Sequence, residues 1–311
     1  MNIYEEYAIE LLLSHHLKGA EIGNGYITAY VSECKITNPK KLDKWLLKNG
    51  YLRKPTIKEA LTSYKVTELK KLLSQKGMKV TGKKDELIER LLSVMTEREI
   101  TLQLNSDNRY FLSEKGLTRY NDNIDLEELH KNWKYMISLE DYFKYRKVGE
   151  GIKRYYETAY LVMQDKIKCG TIGKLIPNNI TSCDFSFLST ICEKLGMRED
   201  ALKYALVSLC ITTNLLDSFY LNKEHIAISG VDYLCNTLSH ETETLFIQNT
   251  ILKIVNLSEC YSPHMVDAAY ENIKLQYVIF DKESFKTAIN DMMKSAYFDA
   301  SPYVKIYYKE L

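Results

Sequence analysis

Apolar positions recur at three- and four-residue spacing in two short blocks of residues 64–95. The first is Val66, Leu69, Leu72 and Leu73; the second is Leu87, Ile88, Leu91 and Leu92. Such spacing gathers each set on one face of a helix and predicts two short amphipathic helices. A polar, basic turn from Lys76 to Lys84 separates them, and its Gly77 is placed to end the first helix in a left-handed conformation. Thr81 occupies the expected N-cap of the second helix. Asp85 and Glu86 follow in its first turn, where carboxylates suit the positive end of the helix.

The same reading extends along the chain. Ile3 to Leu17 has helical period, with Tyr4, Ala8, Leu11 and Leu12 on one side. His15 and His16 close it; neighbouring helical positions point roughly 100° apart, so a shared metal is disfavoured and a role at the negative helix end is expected. Gly23-Asn24-Gly25 reads as a turn, Tyr26 to Cys34 as a short helix, and Lys40 to Asn49 as a clearer one stopped by Asn49-Gly50. Ile100 to Leu104, the polar cluster Asn105 to Asn108 and the β-prone Arg109 to Leu112 together predict a β-hairpin. Beyond Leu126 come longer mixed-charge helices: Leu126–Ser138, Leu139–Val148, Ile152–Lys168, Phe185–Leu195, Arg198–Thr212, Val231–Leu238, Glu243–Val255, His264–Phe280 and Lys282–Ala296. Gly170 to Asn179, with Pro177, is the clearest linker.

Composition narrows the picture. With 311 residues the chain has room for two or three domains, and its 42 basic and 41 acidic side chains leave a net charge of only +1. Any nucleic-acid contact must therefore be local. Seven cysteines, Cys34, Cys169, Cys183, Cys192, Cys210, Cys235 and Cys260, show no CxxC pairs. Their odd number and the lack of a signal-peptide pattern point to a reducing cytosol. No apolar run is long enough to span a bilayer, so the expectation is a soluble cytoplasmic protein without membrane contact, nucleoid-associated if bacterial. The 24 tyrosines are widely scattered, which favours helix packing over base stacking, and five prolines with 13 glycines fit a mainly helical chain.

Lys76, Lys79, Lys83 and Lys84 crowd the turn and the start of the second predicted helix. The first backbone N–H groups of a helix lack intrahelical partners, so free donors, a positive dipole end and ammonium groups would meet there. That combination suits phosphate. Composition alone does not separate it from an ordinary solvated helix pair. The order of residues does more: Thr67-Glu68-Leu69-Lys70, Gly77-Met78 and Thr81-Gly82-Lys83-Lys84-Asp85-Glu86-Leu87-Ile88-Glu89-Arg90-Leu91 resemble the SAP motif. SAP modules are small helix–turn–helix-like units known for binding double-stranded DNA with weak sequence preference. The resemblance covers about a tenth of the chain, and Met78 stands where the family usually has leucine. It implies Lys79, Thr81, Gly82, Lys83, Lys84 and Arg90 as DNA-facing positions. Arg90 has a second reading, a pairing with Glu86 along the helix.

Two further resemblances are shorter. Ser113-Glu114-Lys115-Gly116 after a strand, and Leu46 to Leu52 upstream, resemble pieces of winged-helix domains, so a SAP-like unit would be inserted in or appended to such a unit. A hairpin that merely braces the SAP-like helices is the other reading. Leu188 to Ala205 resembles one tetratricopeptide-type hairpin, with Gly196 at the turn and Ala201 at the close helix contact, but no second copy follows at that period.

No GxxxxGK[ST], GxSxG or zinc-helix pattern is present; His240-Glu241-Thr242-Glu243 lacks a second histidine, and His15, His16, His130, His225, His240 and His264 show no ligand spacing. No catalytic residue, metal or cofactor is expected. The sequence thus predicts a mainly α fold with a small winged-helix-like or β-hairpin element. Its expected parts are an N-terminal helical segment (1–57), a SAP-like module (58–96), a hairpin and connector (97–125) and an irregular, repeat-like α-helical hairpin domain (126–311). The expected function is that of a non-enzymatic DNA-binding accessory protein, of a kind suited to phages or mobile elements. Its helical half would contact a protein partner or a second copy. The alternative is a helical interaction scaffold without DNA binding.

Overall fold

A computed structural model describes residues 2–23, 39–132, 137–146, 149–168, 182–213, 245–272 and 281–295. The chain is mainly α and divides into two compact units, residues 1–131 and 132–311. In the first unit the order is α1 (Ile3–His16), β1 (Ala20–Glu21), α2 (Pro39–Lys48), β2 (Leu52–Arg53), α3 (Ile57–Leu61), α4 (Val66–Gln75), α5 (Lys84–Leu92), α6 (Glu97–Ser106), β3 (Arg109–Leu112), α7 (Glu114–Asp122) and α8 (Ile124–Asn132).

The predicted hairpin is not formed. Ile100 to Leu104 lies within helix α6, whose N-cap Thr96 and Glu99 make a reciprocal capping box. Five residues are too few to distinguish strand alternation from helical period, and the capping pair lies outside them. Strand β3 instead lies between two partners distant in sequence, in the antiparallel order β1-β3-β2. Its pairings are Ala20 with Tyr110, and Leu52 with Leu112. Residues 54–108 are thus inserted between β2 and β3.

Helix α1 is more deeply enclosed than an amphipathic helix: Tyr7, Ala8, Ile9, Leu12 and Leu13 are buried, and so is Glu10, which accepts from Arg119 of α7 at 2.7 Å. His16 does not serve the helix end in solvent. It is buried, with Nε2 3.2 Å from the buried Asp43 carboxylate of α2 and Nδ1 2.9 Å from the Tyr110 carbonyl of β3. One imidazole thus ties α1, α2 and the sheet together, and partial burial with the neighbouring His16 lowers the pKa of His15. Gly116 explains the start of α7, because a Cβ there would lie 2.1 Å from the Tyr51 carbonyl oxygen. Around it, Ser113 N–H donates to that same carbonyl at 2.9 Å, and Lys115 Nζ to the Asn49 carbonyl at 2.9 Å. Helix α2 ends as expected at Gly50, and the predicted helix at Tyr26 to Cys34 lies outside the described residues.

The second unit contains α9 (Leu139–Tyr145), α10 (Gly151–Lys168), α11 (Ser182–Lys194), α12 (Arg198–Thr213), α13 (Leu245–Asn256), a 3-10 turn (Ser258–Cys260), α14 (His264–Asn272) and α15 (Lys282–Ser295). Helix α12 is buried nearly all round and packs on α11, α13 and α14. The α11–α12 pair is the hairpin read from sequence: Gly196 adopts φ +77°, Ala201 is fully buried, and Ser189 Oγ donates to the Ala201 carbonyl at 2.6 Å. Tyrosines pack here, with Tyr142 and Tyr155 stacked at 6.1 Å. Burial pushes the Cys192 thiol up to about 12, as for an inert core residue. The predicted linker and the Val231–Leu238 helix lie outside the described residues, as does His240.

Candidate nucleic-acid interface

The module between β2 and β3 has its own small core. Leu61 of α3, Leu69 and Leu73 of α4, and Leu87, Ile88 and Leu91 of α5 are buried together, with Met78 and Val80 of the turn packed against them. Met78 therefore fills the apolar role that leucine would. Val66, expected on the apolar face, is 38% exposed and is not part of this core. Gly77 has φ +68°, and the bonds from Gly77 N–H to Ser74 and from Met78 N–H to Leu73 complete a Schellman close of α4.

The tip is built differently from the sequence expectation at one point. The N-cap of α5 is Lys83, not Thr81. Lysine has donors only, so its side chain caps nothing; Glu86 supplies the one reciprocal bond, accepting from Lys83 N–H at 3.1 Å. Without a side-chain acceptor at the cap, the first N–H groups of α5 stay free of the usual capping bond. Gly82 is needed here. Its φ is +132°, and a Cβ would meet the Glu86 carboxylate at 2.4 Å, the group that folds back over the turn.

The six positions implied by the resemblance separate into roles. Lys79, Thr81, Gly82 and Lys83 are exposed at the tip, and no ion pair engages Lys79 or Lys83 among the described residues. Lys84 is half-buried and donates to the Thr62 carbonyl at 2.7 Å, tying the start of α5 to the end of α3. Arg90 reaches back under the turn rather than to Glu86. Its guanidinium donates to the carbonyls of Lys79 and, at 3.0 Å, Thr81. Lys76, part of the basic cluster in the sequence, is drawn away to Glu99 of α6 at 2.7 Å, and that hydrogen bond, with the Thr96 cap, holds Glu99 down to about 2.

Sequence reasoning missed what mounts this module on the sheet. Arg53 of β2 grips Glu59 of α3 through two bonds of 2.7 and 2.8 Å. Those bonds, with the Thr56 cap, hold the Glu59 carboxyl down to about 2. Arg109 of β3 donates to the Glu59 carbonyl at 3.0 Å and to Asp107 at 2.6 Å. Burial opposes ionisation of Asp107, but the Arg109 hydrogen bonds outweigh it and lower its pKa. The entry and exit strands thus clamp one short helix. Arg53 and Arg109 are 56 residues apart in sequence, so no local spacing could reveal the clamp. Among the described residues no group of histidine, cysteine and carboxylate side chains could hold a metal, and no helix is long and apolar enough to cross a membrane.

No curated protein matches this chain. No solved structure matches it. Residues 60–93, the stretch that supplies this core and this tip, match the family model described as SAP domain, and SAP domains are in general DNA-binding motifs.

Proposed function

We propose that this chain is a non-enzymatic accessory protein that holds duplex DNA through the phosphates at the tip of residues 78–84. The observation that carries the reading is the tip itself: Lys79 and Lys83 are exposed, no ion pair engages their ammonium groups among the described residues, and at the helix start beside them only Glu86 reaches back, to the Lys83 N–H. Free N–H donors, the positive helix end and two ammonium groups are complementary to a phosphate and indifferent to base sequence. Binding would be weak, sequence-tolerant and salt-dependent. We assign the helical second unit to contact with a protein partner or a second copy, and the whole to the cytoplasm, on the nucleoid if the source is bacterial. Self-association would raise the effective affinity of a weak tip by linked binding.

The test is the double variant Lys79→Glu with Lys83→Glu in the full chain. Lys84 is left alone because its bond to Thr62 supports the fold. The expected result is loss of duplex retention in a mobility-shift assay at low salt, with an unchanged circular dichroism spectrum. Unchanged affinity rejects the tip as the site that holds DNA, and an unaltered chain that retains no duplex favours a scaffold without DNA binding.

A further inference from the structure

Residues 39–93 hold fifteen basic and six acidic side chains, whereas the whole chain has a net charge of only +1. Part of that excess lies outside the SAP-matching stretch, on helix α2. Successive helical residues turn by about 100°, so Lys40, Lys44 and Lys48 fall in one row, with Lys41 beside it and Trp45 at its border. Lys40, Lys41, Lys44 and Lys48 are exposed. The one carboxylate of α2, Asp43, points the other way: it is buried, accepting from His16 and, at 2.8 Å, from Gly23 N–H. No ion pair engages Lys40, Lys44 or Lys48 among the described residues.

The border is aromatic. Trp45 is 38% exposed and stacks on Tyr51 at 5.7 Å, and Lys115 Nζ lies 4.4 Å from the centre of the Tyr51 ring. A row of ammonium groups in steps of about 6 Å beside a flat apolar ledge suits an extended polyanion better than a single carboxylate.

We propose that this lysine face of α2 is a second DNA-contacting surface, acting on the same duplex polyanion as the tip of residues 78–84. The identity of the polyanion rests on the proposed DNA-binding function; the surface itself does not. Helix α2 is joined to the module through β2, whose Arg53 grips α3, so the two basic surfaces belong to one mounted unit.

The experiment measures duplex affinity of the full chain against salt by fluorescence anisotropy. Each phosphate contact adds about −0.9 to the slope of log affinity on log salt. Lys79 and Lys83 alone predict a slope of about −1.8, whereas adding Lys40, Lys44 and Lys48 predicts about −4.5. Replacing Lys40, Lys44 and Lys48 together by Gln should flatten the slope by about 2.7 and weaken low-salt binding at least tenfold; the control Lys153→Gln with Lys294→Gln in the second unit should change little. If the triple variant binds like the unaltered chain while Lys79→Gln with Lys83→Gln binds worse, the inference is overturned and the proposed function stands. If only the triple variant binds worse, the inference holds and the tip loses its role. If neither weakens binding, both fall. An unaltered chain with a slope no steeper than about −2 overturns the inference even where the triple variant misfolds.

Discussion

Arg90 distinguishes positioning from contact at the tip. Its guanidinium donates to the carbonyls of Lys79 and Thr81, so Arg90→Met removes both bonds while keeping much of the apolar stem. Hydrogen bonds from charged donors are worth about 1.5–3 kcal/mol each when well shielded, and solvent at this half-exposed site reduces the pair to about 1–2 kcal/mol. An opening free energy lowered by that amount raises the open population of the turn roughly 5–30-fold. Amide hydrogen exchange at Met78, whose N–H donates to the Leu73 carbonyl at the base of the turn, should accelerate by up to this factor, while the buried α4 and α5 amides keep their protection. Duplex affinity should fall as the tip loses its preorganised shape. The salt slope should stay the same, because no phosphate contact is lost. A slope flatter by about 0.9 would mean that Arg90 itself touches phosphate, and unchanged exchange in the turn would mean that the two bonds hold nothing; either result refutes the positioning role.

Two further outcomes follow from the frame around the tip. Gly116→Ala places a Cβ 2.1 Å from the Tyr51 carbonyl oxygen, so α7 must shift from the β2 entry at a cost of about 1–3 kcal/mol, read as a lower denaturation midpoint; an unchanged midpoint contradicts it. Glu59 has its pKa held down to about 2, so its ionised form is favoured on folding. The resulting stability is present above the ordinary carboxylate value and is lost as pH falls from about 4.5 towards 2. Denaturation midpoints should therefore drop over that window, and less steeply in Glu59→Gln; parallel curves for the two proteins dispose of the Arg53–Glu59 clamp as a source of stability.

Local features of the sequence were legible wherever the determining physics was local. The periods of α4 and α5 and the glycine stop at Gly77 rest on neighbours a few residues apart, and so does the Gly196 turn of the α11–α12 hairpin. The SAP-matching stretch was legible for the same reason: its core is closed by short-range packing, with Leu61 added from the preceding helix. Errors arose where a local rule had a competitor. Thr81 looked like the cap, but the chain enters α5 two residues later, where Glu86 can reach the Lys83 N–H. Ile100 to Leu104 looked like a strand, yet Thr96 and Glu99 cap a helix through it.

The sequence by itself determined the mainly helical character, the two-helix module with its basic tip, and the residue types a phosphate site requires. Tertiary structure decided which of those residues are available. Lys76 is taken by Glu99, Lys84 by the Thr62 carbonyl and Arg90 by the turn, which leaves Lys79 and Lys83 to solvent. It also decided where the module sits, because β3 pairs with strands more than fifty residues upstream, and two arginines separated by the whole insertion hold one helix between them. Periodicity records which face of a helix is apolar; the partners of a charged side chain depend on carbonyls and carboxylates that only folding brings within reach.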